Sequence, residues 1–264
     1  MEIVAENVTQ QAELYWQESG QGPDLVLIHG WGMNGAVWQQ TVDTLSQHFT
    51  VHVVDLPGYG HSSHCHADNL EGIGQLLLRG APDKAAWLGW SLGGLVASYL
   101  ALYHPDRVSK LITVASSPKF SAEGRWRGIQ PQVLSQFSQQ LTEDFTLTVE
   151  RFMALQAMGS PSARQDVKQL KQSVLSRPMP DPHSLTLGLQ LLAEVDLRQA
   201  LATLQVPMLR LYGRLDGLVP VKVAAELDRQ WPESESHVFA QSSHAPFITE
   251  SEQFCQRIVQ FLGK

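Results

Sequence analysis

Cysteine is scarce in this 264-residue chain: only Cys65 and Cys255 occur, far apart. Two such thiols make no disulfide framework, and their rarity fits a reducing compartment. Long apolar runs are missing too, and no stretch is long enough to span a bilayer. Positive charge is not in excess. Lys and Arg total 19 against 26 Asp and Glu, a net charge of −7, which argues against nucleic acid as the main partner. The first ten residues, MEIVAENVTQ, have neither a basic nor an apolar region, so no secretory signal is read there. No G-x-G-x-x-G and no P-loop is read, nor an internal repeat or low-complexity segment, and no nucleotide or other cofactor is expected. What remains is the profile of a soluble cytoplasmic protein. Its 43% hydrophobic content supports a sizeable core, in one domain or one domain with an insertion.

The most informative stretch is KAAWLGWSLGGLVASYLALYH, residues 84–104. An apolar run ends in Gly89-Trp90-Ser91-Leu92-Gly93, and a helix-forming segment follows. This is G-x-S-x-G in the strand–turn–helix setting that a nucleophile elbow requires. The turn is tight, so its flanks must be small, and Gly89 and Gly93 supply that. Gly94 lets the new helix approach the sheet. Ser91 then sits on a strained turn, beside free N–H groups at the helix start. The bland alternative is a serine in an ordinary glycine-rich turn.

The rest of the chain reads as alternating strands and helices. Residues 12–18 form an edge strand, and 24–29 and 50–55 form buried strands. Asn34 caps a helix to about His48, and Asp68 or Asn69 starts a short one to about Arg79. Another strand spans 107–115. Residues 117–190 then contain no convincing strand and are helix-rich, broken by prolines and glycines. Alternation resumes with a strand at 207–212, a helix at 221–230, a strand at 236–240 and a last helix from about Ser251. The reading is an α/β fold, a mostly parallel sheet with helices on both faces. Residues 1–116 and 191–264 form the core, and 117–190 form a helical cap insertion.

A serine nucleophile needs a base, and the base needs an orienting acid. In this strand–turn–helix setting the order is Ser, then Asp or Glu, then His, on loops after later strands. Asp216 in LYGRLDGLVP and His244 in AQSSHAPF satisfy both conditions. Their bland readings are a turn aspartate and a surface histidine. The oxyanion donors are expected to be the N–H of Leu92 and the N–H of Trp31, in the His29-Gly30-Trp31-Gly32 loop. The Trp31 ring is read as a pocket wall, as core packing, or as both. His29 is read as structural, fixing that loop by hydrogen bonds. His61, His64, Cys65 and His66 suggest a metal site, but the segment looks like a floppy polar loop and no metal is assigned.

With these residues placed, the chain resembles the α/β-hydrolase superfamily. Within it, HGWGMN, VDLPGYGHS, WLGWSLGGLVAS, TVASSPKFSA, ERFMALQ, LYGRLDGLVP and SHAPF are similar to the pimeloyl-[acyl-carrier protein] methyl ester carboxylesterases of biotin synthesis. The resemblance runs from about Leu14 to Phe261. It implies a serine esterase that cleaves the methyl ester of pimeloyl-acyl carrier protein and frees the distal carboxylate. The resemblance implies that Trp31, Ser91, Leu92 and His244, with Phe152, Met153, Ala154, Leu155 and Gln156, contact substrate. The last five also suit a helical core, since Phe152, Leu155 and Met158 fall at i, i+3 and i+6.

The implied carrier protein is acidic, so a basic face is expected. Residues 119–181 hold eight Lys/Arg against six Asp/Glu, a net +2, and the rest of the chain holds eleven against twenty, a net −9. Arg164, Lys168 and Lys171 share one helix face, and Arg151 is a fourth candidate contact. A merely solvated helix face is the competing reading. A monomer is expected. The rival functions are a general short-chain carboxylesterase, a thioesterase or a carbon–carbon hydrolase on the same scaffold, and a non-catalytic binding protein.

Overall fold

The computed structural model describes residues 13–264. The reading of residues 1–10 and the first residue of the expected edge strand lie outside these. Seven strands form one sheet: β1 (Trp16–Ser19), β2 (Asp24–Ile28), β3 (Thr50–Val54), β4 (Ala85–Trp90), β5 (Val108–Val114), β6 (Met208–Gly213) and β7 (Glu235–Phe239). Their order is β1-β3-β2-β4-β5-β6-β7. Only β1 runs antiparallel to its neighbour. Every residue of β4 and of β6 is buried, as in strands covered on both faces, and Arg210 within β6 pairs with Asp228 at 2.8 Å. Because the strands run parallel, the loops after β2, β4, β6 and β7 leave from one end of the sheet, where ligands of such folds bind.

The helices of the core are α1 (Gln39–Leu45), α2 (Leu70–Gly80), α3 (Leu92–Tyr103), α9 (Val221–Gln230), α10 (Pro246–Thr249) and α11 (Ser251–Leu262). Asn34 caps a four-residue 3-10 turn, Gly35–Trp38, and α1 follows it. The single helix expected over 34–48 is thus two shorter pieces. Asn69 is the cap of α2, accepting from Gly72 N at 2.8 Å. Between β5 and β6 the chain makes a helical excursion: α4 (Pro131–Glu143), α5 (Phe145–Ala157), α6 (Ala163–Leu175), α7 (Pro182–Glu194) and the short α8 (Arg198–Leu201). The expected boundary at 190/191 falls inside α7. Proline opens α4 and α7, where its missing N–H costs nothing.

The excursion is tied to the core by polar contacts as well as apolar ones. Asp55, at the end of β3, is fully buried and accepts from Arg177 Nη1 at 2.6 Å, just beyond α6. The same carboxylate accepts from the main-chain N–H groups of Gly35 and His61. Asn34 Nδ2 donates to Val174 O on α6 at 3.2 Å. The 61–66 segment is not floppy. Cys65 is buried and its thiol donates to Glu13 O at 3.2 Å, while the His61 ring packs 4.7 Å from that of Tyr15. Among the described residues, no helix is long and apolar enough to cross a membrane, and no group of three His, Cys, Asp or Glu converges as metal ligands would.

Candidate active site

The turn from β4 into α3 forces Ser91 to φ 55°, ψ −117°, a region that β-carbon residues avoid at a cost of about 1–3 kcal/mol. The surrounding structure holds it there. Ser91 N donates to Val114 O at 2.9 Å, and Ser91 O accepts from Ser116 Oγ at 2.8 Å as well as from the first turn of α3. Gly89 is required because a Cβ there would overlap the main chain of Gly93 and Gly94. Ser91 itself is buried.

Asp216 and His244 meet across the loops that follow β6 and β7. His244 Nδ1 lies 2.8 Å from Asp216 Oδ2, and both side chains are buried. A carboxylate can only accept, so Nδ1 carries the hydrogen and Nε2 keeps its lone pair. Asp216 Oδ1 is saturated by the N–H groups of Leu218 at 2.8 Å and Val219 at 3.0 Å. That fixes the carboxylate in its own turn. His244 Nε2 is buried and has no hydrogen-bond partner among the described residues, Ser91 Oγ included. A buried acceptor left open in this way is rare in folded proteins. It is the one ring atom of the dyad still available for chemistry.

His244 is also gripped through its main chain. Its carbonyl accepts from Trp90 Nε1 at 2.7 Å, and its N–H donates to Gln156 O, at the end of α5, at 3.0 Å. The residue before the nucleophile thus holds the histidine's loop. The sequence reading passed over Trp90, although a tryptophan in a wholly buried strand must find an acceptor for its N–H.

The loop after β2 runs past the nucleophile. A Cβ on Gly30 would stand 3.2 Å from Ser91 Cβ, so the main chain of Gly30-Trp31 lies against the elbow. Leu92 opens α3, where main-chain N–H groups have no helical acceptor. His29 fixes this loop: Nδ1 donates to Gly30 O at 2.9 Å, and Nε2 accepts from Leu56 N at 3.0 Å. Complete burial drives its pKa down from 6.5 to about 4, against the opposing pull of Asp55. The ring is therefore neutral and fully engaged.

Gly30, Gly32 and Gly35 do have G-x-G-x-x-G spacing directly after a strand, which corrects the reading that the chain carries no such pattern. Its context differs from a dinucleotide site. It opens a short 3-10 turn rather than a helix, and the Gly35 N–H is already taken by the Asp55 carboxylate at 2.7 Å.

The other site candidates divide. The Trp31 ring is fully buried; its Nε1 donates to Leu185 O on α7 at 2.8 Å, and it packs edge-on against Phe152 at 4.7 Å. Phe152, Met153 and Gln156 are buried, Leu155 is half-buried, and Ala154 is exposed. Met158 is 57% exposed. The i, i+3, i+6 core pattern therefore fails at its third member, because α5 ends at Ala157 before the stripe completes. Gln156 Oε1 is buried without a hydrogen-bond partner among the described residues. Arg151, Arg164, Lys168 and Lys171 are all exposed, but Lys171 Nζ already pairs with Glu150 Oε1 at 2.6 Å.

Comparison with known proteins gives the family. Residues 23–251 match the model of the alpha/beta hydrolase fold family. The chain is 70% identical over 252 residues to the pimeloyl-[acyl-carrier protein] methyl ester esterase of Vibrio vulnificus (strain YJ016), covering 96% of this chain and 99% of that one. It is likewise 70% identical over 248 residues to the protein of that name from Vibrio cholerae, covering 94% and 97%. Among solved structures, an esterase from Exiguobacterium antarcticum superposes with a TM-score of 0.83 at 22% identity, covering 95% of this chain and 96% of that one. A distant likeness of that kind speaks to the fold alone. Matches over nearly the whole length at such identity speak to more: the chain belongs to the α/β-hydrolase fold family and, within it, to the pimeloyl-[acyl-carrier protein] methyl ester esterases.

Proposed function

We propose that this protein is a serine carboxylesterase that hydrolyses the methyl ester of pimeloyl-acyl carrier protein and frees the distal carboxylate for biotin synthesis. The observation that carries the reading is the buried His244–Asp216 pair with an open Nε2, together with a serine held at a strained strand–helix turn. His244 takes the Ser91 proton as Ser91 Oγ attacks the ester carbonyl. The Leu92 and Trp31 N–H groups hold the oxyanion, and loss of one such donor costs about 100- to 1,000-fold in rate. His244 then protonates departing methanol. Water activated by His244 hydrolyses the acyl-enzyme. Asp216 keeps the imidazole in the required tautomer and stabilises its charged form.

Residues 117–190 act as a cap that shapes the acyl site, with Phe152, Met153, Leu155 and Gln156 toward the chain and Ala154 at its outer edge. The exposed cations Arg151, Arg164 and Lys168 offer an acidic carrier protein a complementary face. Lys171 would have to leave Glu150 to join them. An attraction between exposed charges weakens with salt, so the KM for the carrier-bound ester rises with ionic strength while that for a free ester does not. The protein works as a cytoplasmic monomer.

The test is mass spectrometry of methyl pimeloyl-acyl carrier protein after incubation with the enzyme, with Ser91→Ala alongside. The expected result is loss of one CH2 from the loaded carrier, with the acyl chain retained, and no change with the variant. Release of free carrier would instead make the protein a thioesterase. An unchanged carrier with activity on simple esters would make it a general carboxylesterase.

A further inference from the structure

The mechanism above leaves one fully enclosed carboxylate without a task. Asp166 lies in the first turn of α6, is only 4% exposed, and has no cation partner among the described residues. Three hydroxyls satisfy it instead. Ser160 Oγ donates to Oδ2 at 2.7 Å, Ser162 Oγ donates to Oδ1 at 2.8 Å, and Thr249 Oγ1 donates to Oδ2 at 3.1 Å. The two serines belong to the turn before α6 and could serve helix capping alone. Thr249 does not: it is 83 residues away in sequence, at the end of α10, the single helical turn that begins two residues after His244.

The same turn of the excursion reaches the histidine's loop twice more. Gln156 O accepts from His244 N at 3.0 Å, and Met158 O accepts from Ser243 Oγ at 3.0 Å. Residues 156–166 therefore hold the segment 243–249 at three points, spread from just before the histidine to the end of the helix after it. From the core, Trp90 Nε1 holds it at the His244 carbonyl, and Ser243 Oγ also lies 3.4 Å from Leu215 O. The core offers the segment further bonds through Glu250, but these go to Gln241 and Ser242, ahead of the histidine.

We propose that Asp166 is a positioning residue for His244, acting through Thr249, and that the α5–α6 turn is thereby part of the catalytic base's support as well as of the acyl site. The inference rests on the serine-esterase reading. Its physical basis is that proton transfer tolerates little displacement: a shift of about 1 Å at a reacting group can cost about 100-fold. A buried carboxylate is a stronger acceptor than a neutral group and sets the Thr249 hydroxyl firmly. Ser160 and Ser162 in turn fix the carboxylate's rotamer.

The experiment uses the full chain carrying Thr249→Val, Thr249→Ser or Asp166→Asn. It measures kcat and KM on a p-nitrophenyl short-chain ester, the rate of Ser91 labelling by a fluorophosphonate, and the melting temperature. Thr249→Val is nearly isosteric and removes only the hydroxyl. The expected result is a fall of about 10-fold or more in both kcat and labelling rate for Thr249→Val and Asp166→Asn, with KM within about twofold and rescue by Thr249→Ser. Folded Thr249→Val with unchanged kcat and labelling would overturn the proposal. So would a loss that tracks KM or melting temperature alone, since a purely structural tie would give that. Failure of the wild-type chain to label or to hydrolyse the ester would instead overturn the esterase reading beneath it.

Discussion

Two loops leave the same end of the sheet, each carrying a fully buried histidine: His29 after β2 and His244 after β7. Residue type, burial and strand position are alike. The difference lies in what each ring nitrogen meets. His29 donates from Nδ1 to a main-chain carbonyl and accepts at Nε2 from a main-chain N–H, so its bonding capacity is spent. His244 donates from Nδ1 to a carboxylate and leaves Nε2 open. A carboxylate partner stabilises a positive imidazolium when a proton arrives; a main-chain carbonyl does so far less. Burial alone does not separate the two rings. An unspent nitrogen backed by a negative charge does.

The sharpest way to break this comparison is to remove each ring. With Ser91 and the oxyanion donors intact, His244→Ala should lower ester hydrolysis by about a million-fold, the cost of deleting the base from such a triad. His29→Gln, measured beside it, should lose activity only as far as the Gly30-Trp31 loop shifts. Comparable losses in the two variants would show that the bonding difference does not separate their roles. Next in size is Asp216→Asn. An amide can donate to Nδ1 and so reverse the tautomer, which should cost about ten-thousand-fold in kcat with KM little changed. A small effect would mean that the charge behind His244 is not what distinguishes it from His29.

Much of this site was legible in the chain because its parts obey local rules. Ser91 is marked by the glycines that its turn needs, and Asp216 and His244 by their places just past apolar strands. His29 was legible as a structural residue because it ends a strand beside the site. What stayed hidden depends on contacts between distant segments. Asp55 looks like the end of a strand, and only the fold brings Arg177 to it, across 122 residues. Trp90 reads as one more core residue until its N–H is seen on His244 O, and Asp166 reads as a first-turn acid suited to the helix dipole. Lys168 and Lys171 share a helix face in sequence, but Glu150 on the neighbouring helix takes one of them. The 117–190 stretch is harder to read than the rest for the same reason. Its helices are amphipathic and broken by proline, and their mutual packing is not encoded in any one window.

The Asp55–Arg177 pair gives a third test, on the scaffold side of the comparison. Asp55 lies beside Leu56, whose N–H binds His29, and it anchors both Gly35 and His61. Arg177→Met leaves that carboxylate buried without its cation. Unpairing a buried ion pair costs about 3–5 kcal/mol, to be read as a lower urea midpoint with kcat changed far less than in Asp216→Asn. If stability holds and activity collapses, the His29 end of the sheet is part of the chemistry after all.

The smallest expected effect bears on His29 most directly. Its pKa is about 4 in the folded protein against 6.5 when exposed. Between those values the unfolded chain binds the proton and the folded chain does not, so stability rises with pH across this window. Lowering the pH from 7 should leave His29's contribution intact down to about 6.5, then remove about 1.4 kcal/mol per pH unit until the ring protonates in place near pH 4, about 3 kcal/mol in all. The rest of the chain also takes up protons in acid, so the informative quantity is a difference. Unfolding free energies of wild type and His29→Gln should converge by about that amount as the pH falls from 7 to 4. A gap that stays constant over this range would mean that His29 is charged inside the fold. Its two main-chain bonds would then have to be reassigned, because an imidazolium cannot accept from Leu56 N.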